Sequence, residues 1–189
     1  CNIPADFILP GNGSSELISL LIQERAPKHT LILGPTYSEY SRELSFSGST
    51  QEYYHLQEER DFCLDIDDLC KTLENGYDFL ILCNPNNPTS SAITQNELRK
   101  LIAFCAKHNI FVMIDETYVE FAPDINEITA VPLTQEFTSW LRCHRKYGFS
   151  RQNERETDTM VSQQSWCLCR RINVQRSGVY PEDQKSDSF

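Results

Sequence analysis

Three short polar stretches of this 189-residue chain carry side chains suited to chemistry. In Gly11-Asn12-Gly13-Ser14-Ser15 the glycines let a ligand approach the backbone closely. Ser14 and Ser15 stand where a helix would open, and the free N–H groups and positive dipole end of a helix suit a phosphate. Asn87-Pro88-Thr89 offers an amide on a turn. Asp115-Glu116-Thr117-Tyr118 sets a carboxylate and a phenol directly after the most apolar run in the chain. A carboxylate at the mouth of a buried strand has to be solvated, paired with a cation or put to use. Taken singly, each stretch also has a plain structural reading. Paired glycines and Asn-Pro are common turn chemistry, Tyr37 suits the start of a helix, and Asp115 suits the cap of one beginning at Glu116.

The elements that must hold these residues are legible from residue 7 to residue 122, where short apolar runs alternate with helical periodicity. Phe7-Ile8-Leu9 precedes the glycine turn, and a helix carrying Leu17, Ile18, Leu20, Leu21 and Ile22 follows it. Leu31-Ile32-Leu33 stops at Gly34-Pro35, with a further helix starting near Tyr37. Residues 50–56 alternate weakly, as a strand does. Asp65 caps a short helix bearing Leu69 and Leu73, with Gly76 at its close. Phe79-Leu80-Ile81-Leu82 runs to Asn84. Thr94 and Glu97 then make a capping box ahead of the stripe Leu98, Leu101, Ile102 and Cys105. Ile110-Phe111-Val112-Met113-Ile114 is apolar throughout and ends at Asp115. Continuous apolar strands between amphipathic helices indicate an α/β fold, a mostly parallel sheet covered on both faces. Ligands of such sheets gather outside the carboxyl ends of the strands. All three polar stretches fall there.

Composition narrows the partners. A net charge of −10 argues against nucleic acid, whose phosphates are met by Lys and Arg. No apolar run approaches the ~20 residues that span a bilayer. With no basic-plus-apolar leader, neither a membrane nor export is expected, and the expected location is cytoplasmic. Eight cysteines occur at irregular spacing without a CxxC pair, and Cys167 and Cys169 form a lone CxC. That pattern fits reduced thiols and no metal site. The chain begins at Cys1 rather than Met, so sequence upstream of it is expected.

In order and spacing, these three stretches together with Pro35-Thr36-Tyr37 resemble the class I/II aminotransferase family of fold-type I pyridoxal-phosphate enzymes. The resemblance covers about residues 5–135, and within the family it is closest to histidinol-phosphate aminotransferases and threonine-phosphate decarboxylases. It implies a partial three-layer αβα large domain with pyridoxal 5′-phosphate as cofactor. It also implies a small amino acid or amino-phosphate substrate, transamination or decarboxylation, and a homodimer. Residue by residue, it implies that Gly13, Ser14 and Ser15 hold the cofactor phosphate and that Tyr37 stacks on the pyridine face. Asn87 and Tyr118 would hydrogen-bond the cofactor's 3′-oxygen. Asp115 would pair with the ring nitrogen and keep it protonated, which makes the ring an electron sink.

The family pattern continues with Ser-Lys and then Gly-Leu-Arg, and neither appears in this chain. Lys146, in Arg145-Lys146-Tyr147-Gly148-Phe149, has no serine before it and no Gly-Leu-Arg after it, and it is not assigned the lysine's role. The expectation is a chain without the lysine that would link the cofactor, binding it non-covalently at best; whether it is an enzyme stays open. Residues 138–189 break the rhythm, with nine basic and six acidic side chains and no stripe of either period. The expected organisation is a partial cofactor-binding large domain over 1–137 and an irregular, non-family tail over 138–189, disordered or read in a shifted frame. The family sheet sets its first strand beside the seventh and the seventh beside the sixth. Without those two, the strand at 7–9 is expected to lack neighbours, leaving buried backbone groups unpaired. Two other readings stand beside the enzymatic one. One is a non-catalytic pseudoenzyme acting through a partner subunit, and the other is an α/β domain whose phosphate loop serves a different ligand.

Overall fold

In the computed structural model, which describes residues 8–136, 140–145 and 165–169, the apolar runs become seven strands. These are β1 (Ile8–Gly11), β2 (His29–Gly34), β3 (Thr50–His55), β4 (Phe79–Cys83), β5 (Phe111–Asp115), β6 (Trp140–Arg145) and β7 (Ser165–Cys169). They form one sheet in the order β1-β7-β6-β5-β4-β2-β3. The pairs from β6 through β5, β4 and β2 to β3 are parallel, while β7 runs antiparallel to both β6 and β1. Among the described residues are five α-helices, α1 (Ser14–Arg25), α2 (Glu39–Ser47), α3 (Ile66–Leu73), α4 (Gln95–Lys107) and α5 (Ile125–Ile128), and three short 3-10 helices.

The period of two along each central strand divides the core into two layers. Even positions of β4 and β5 (Leu80, Leu82, Val112, Ile114), with Leu31 and Leu33 of β2, pack against Leu69 and Leu73 of α3 and the Leu98–Cys105 stripe of α4. Odd positions (Phe79, Ile81, Phe111, Met113), with Ile32 of β2, pack against Leu17, Ile18, Leu21 and Ile22 of α1 and against Tyr40 and Leu44 of α2. Helices on both faces of the sheet make the expected three-layer αβα arrangement. Each such fully buried aliphatic side chain contributes roughly 1.5–3 kcal/mol over exposure.

Local signals set the boundaries. The Thr94–Glu97 capping box forms at the start of α4. Asn109 closes that helix at a positive φ of 59°, with the Ile110 N–H donating to the Cys105 carbonyl. Asp65 caps α3 by accepting from the Asp68 N–H. Gly76, expected to close α3, stands further on. The helix ends at Leu73, and Gly76 takes its positive φ of 91° in the turn beyond. A methyl group at Gly11 would sit 2.5 Å from the Leu17 side chain of α1, so a larger residue there would have to displace Leu17.

The larger difference lies in the C-terminal segment. β6 and β7 fall within residues expected to be irregular, and they take the sheet positions beside β1 that were expected to be empty. The runs concerned, Trp140-Leu141 and Trp166-Cys167-Leu168-Cys169, are too short to establish a period inside a polar, arginine-rich background. Sheet neighbours make strands of them. Residues 146–164 and 170–189, which carry the rest of the tail expectation, lie outside the described residues, as does Lys146. Among the described residues no helix is long and apolar enough to cross a membrane.

Candidate functional site

β1 and β6 both run antiparallel to β7, so β1 points the same way as the parallel strands β2, β4, β5 and β6. Gly11, Gly34, Cys83 and Asp115 therefore end their strands along one edge of the sheet. The register confirms the alignment at the centre, where Cys83 of β4 sits beside Asp115 of β5. One cavity opens at this edge. Five residues singled out in the sequence, Ser14, Tyr37, Asn87, Asp115 and Tyr118, line it together. Gly13 and Ser15 do not. Gly13 is the N-cap of α1 with a φ of 100°, and the Ser15 side chain is exposed.

Asp115 is the centre of the site. It is 3% exposed and held by three donors. Oδ1 accepts from the Thr117 N–H at 2.9 Å and from the Thr117 hydroxyl at 2.6 Å. Oδ2 accepts from the Tyr40 hydroxyl at 2.7 Å. Burial first, and the neighbouring Asp115 charge second, push the Tyr40 phenol well above its ordinary pKa, so it remains a donor. Cys83 also lines the cavity, and burial followed by the Asp115 charge pushes its thiol up to about 12. It is therefore a protonated wall, not a nucleophile. Tyr40 and Cys83 were not singled out in the sequence as site residues, and Thr117 only as part of the stretch that opens with Asp115. Tyr37 precedes α2 and Tyr40 lies within it, so no shared helical face marked Tyr40 in the sequence.

The two phenols at the rim are half exposed, Tyr37 at 38% and Tyr118 at 37%. The Tyr37 ring meets Tyr40 edge-on at 5.6 Å and 84°. The Asn87 amide donates to the Tyr118 hydroxyl at 3.5 Å, so both polar tips converge on one point. Buried side chains fix the loops that carry them. Asn84, wholly buried, donates to the Ile93 and Ile128 carbonyls and accepts from the Ile93 N–H. Asn86 donates to the Pro35 carbonyl and the Thr89 hydroxyl. Glu116 is wholly buried and accepts from the Thr129 hydroxyl and the Ala130 N–H. Its role is structural.

These features meet the needs of an anionic, nitrogen-containing aromatic ligand. Glycine at the N-cap gives α1 no side-chain cap, so its first N–H groups are open to an external acceptor such as a phosphate. Asp115 supplies a buried carboxyl group to the cavity. The enclosed space is about 80 Å³, and the cleft measured out to its mouth is about 390 Å³. Complete small-molecule pockets run about 300–1,000 Å³, so the described residues form one wall of a site. A roomier cavity of about 450 Å³ adjoins it, sharing Asn87 and Tyr118 and otherwise lined largely by Pro85, Pro88, Phe121 and Pro123. It holds no carboxylate or cation, so the chemistry belongs to the smaller one. Among the described residues no histidine lines the site. His29 pairs with Glu52 at the amino end of β2, and His108 stacks on Phe104.

Comparison with known proteins gives a consistent picture. The chain is 33% identical over 121 residues to the threonine-phosphate decarboxylase of Salmonella typhimurium, covering 64% of this chain and 33% of that protein. It is 28% identical over 155 residues to the histidinol-phosphate aminotransferase of Methanococcus aeolicus, covering 80% of this chain and 41% of that one. Among solved structures, a decarboxylase from Sulfurospirillum multivorans superposes with a TM-score of 0.72 at 21% identity, over 88% of this chain and 46% of that one. The chain thus spans from a third to just under half of the length of these relatives. The family model for aminotransferase class I and II matches residues 2–150, which takes in β6 and passes the expected limit at residue 137. With this match over most of its length, the chain belongs to the class I and II aminotransferase family.

Proposed function

We propose that this chain supplies the pyridoxal 5′-phosphate-binding wall of an enzyme that transaminates or decarboxylates a phosphorylated amino acid or related amine. The 189 residues by themselves bind the cofactor non-covalently and do not turn over. The observation that carries this reading is the gathering of Ser14, Tyr37, Asn87, Asp115 and Tyr118 around one cavity at the carboxyl edge of the sheet. In it, the open N-terminus of α1, with Gly13, Ser14 and Ser15, receives the phosphate. Tyr37 covers one face of the ring. The Asn87 amide and the Tyr118 hydroxyl hold the ring's 3′-oxygen. Asp115 holds a proton on the ring nitrogen. When bound, the cofactor supplies an electron-poor ring that accepts the electron pair released at the substrate's α-carbon. Tyr40 and Thr117 keep Asp115 aimed while this happens. Cys83, which also lines the cavity, keeps water from the buried side of Asp115. The open side of the cavity supports a working form with two copies of the chain, and the free thiols of Cys63, Cys70, Cys83 and Cys105 support a cytoplasmic location.

A second reading assigns Lys146 the covalent role. Two observations favour it: the family match runs to residue 150, and β6, beside β5, ends at Arg145, immediately before Lys146 in sequence. Borohydride reduction of the chain mixed with pyridoxal phosphate, followed by peptide mass mapping, separates the two. The first reading expects saturable cofactor binding that Asp115→Ala abolishes and no reduced adduct on any lysine. An adduct confined to Lys146 overturns the non-covalent reading and establishes the second. Absence of saturable binding overturns both and leaves a domain serving another phosphate ligand.

A further inference from the structure

We propose that Tyr40 is a positioning residue for Asp115. Its hydroxyl, with that of Thr117, fixes the carboxylate so that one acceptor position on Oδ2 remains to meet the N–H of a heteroaromatic ring in the cavity. This rests on the cofactor reading of the site and adds two residues and a selectivity for ring nitrogen to it.

A carboxylate offers about four acceptor positions. Thr117 fills two on Oδ1 through its N–H and its hydroxyl, and Tyr40 fills one on Oδ2. The fourth remains, on an oxygen of a residue that lines the cavity. With both oxygens tethered, the plane of the carboxylate cannot turn about its own axis to serve some other donor. Tyr40 is itself immobile, being wholly buried in the layer of α1 and α2. The same ring meets Tyr37 edge-on at 5.6 Å, so a single side chain sets both the carboxylate and the aromatic face above the cavity. Donation to an ion is stronger than donation between neutral groups, and Tyr40 stays protonated through the ordinary pH range. The nearest thiol, Cys83, stays protonated as well, so Asp115 alone answers the ring proton.

The consequence is a preference that does not depend on covalent chemistry. Two probes read it: pyridoxine 5′-phosphate, which has no aldehyde, and its carbocyclic counterpart with C–H in place of the ring nitrogen. Both are titrated calorimetrically into the 189-residue chain, with circular dichroism as a check on folding. The unaltered chain is expected to favour the pyridine probe by about tenfold or more, since a hydrogen bond to a buried ion is at stake. Tyr40→Phe is expected to cut that preference about tenfold while weakening the carbocyclic probe little. Thr117→Val, which keeps the side chain's shape, should move the ratio in the same direction, and it carries the test if Tyr40→Phe does not fold. Equal weakening of both probes in the variants overturns the positioning role and leaves the cofactor reading standing. Equal affinity of the unaltered chain for the two probes overturns the Asp115 pairing. Failure of the pyridine probe to bind overturns the cofactor reading and this proposal with it.

Discussion

Replacing Asn84 with alanine should destabilise the chain by about 3–5 kcal/mol. The figure follows from what the side chain holds. Its amide donates to the Ile93 carbonyl at 3.0 Å and the Ile128 carbonyl at 2.9 Å, and its oxygen accepts from the Ile93 N–H at 2.8 Å. All three are lost in Asn84→Ala, and the site is wholly buried, so water does not replace them. Each lost bond costs about 1 kcal/mol net, and a buried group left unpaired costs about 1–3 kcal/mol. Carbonyls tolerate the loss better than N–H groups, which holds the total to the lower part of the summed range. Against a total stability of roughly 5–15 kcal/mol, the loss is large, and in a chain of this size it lowers the melting temperature by about 10 °C. Urea unfolding followed by far-ultraviolet circular dichroism measures it, with Thr94→Ala as the internal standard for loss of a helix cap, about 1 kcal/mol. Asn84→Asp sharpens the test. It keeps an acceptor for the Ile93 N–H but turns a carboxylate oxygen toward two carbonyls, so its loss should equal or exceed that of Asn84→Ala. A change in Asn84→Ala no larger than in Thr94→Ala would show that the two loops are held by something other than this amide.

Two further outcomes are expected. Cys63 is exposed whereas Cys83 and Cys105 are buried with thiols pushed up to about 12, chiefly by desolvation; a thiol reagent at pH 8 with peptide mapping should modify Cys63 quickly and the other two only after unfolding, and early modification of Cys83 would contradict its place in the wall. Glu52 titrates below the usual carboxylate range because His29, and after it Tyr77, hydrogen-bonds its anion. A depressed folded-state value means stabilisation that is present above the unfolded value, about 4.3, and lost as pH falls through the folded one. Tyr77→Phe should therefore move the Glu52 titration, followed by nuclear magnetic resonance, upward; an unmoved titration would rule out the Tyr77 contribution.

Much of this molecule could be read from its residues alone, and the parts that could not share a cause. The buried parallel strands announced themselves because both their faces are covered, which leaves runs such as Phe79-Leu80-Ile81-Leu82 with no polar interruption. The α4 cap was legible because Thr94 and Glu97 are local partners. Tyr40 and Asp115, by contrast, are 75 residues apart, and nothing near either one signals the bond. Glu116 carries no local sign of burial, since charge is usually solvated; it is buried because a segment 13 residues further on folds back to meet it. β6 and β7 escaped notice for the same reason. Each is a few residues long, without caps or period of its own, and takes its conformation from neighbours distant in the chain.

The alternation of faces along β5 bears on the two acids that follow one another at its end. Asp115 continues the odd series of Phe111 and Met113 and turns toward Tyr40, on the side of α1 and α2. Glu116 continues the even series of Val112 and Ile114 and turns toward Ala130, on the side of α3 and α4. Two chemically similar neighbours are thus given opposite tasks by parity alone, one facing a ligand and the other tying down a loop. Inserting or deleting a single residue within β5 would turn each acid to the opposite face of the sheet, taking the shorter one away from Tyr40 and the longer one away from Ala130. The length of this five-residue strand is in that sense as much a part of the site as any side chain in it.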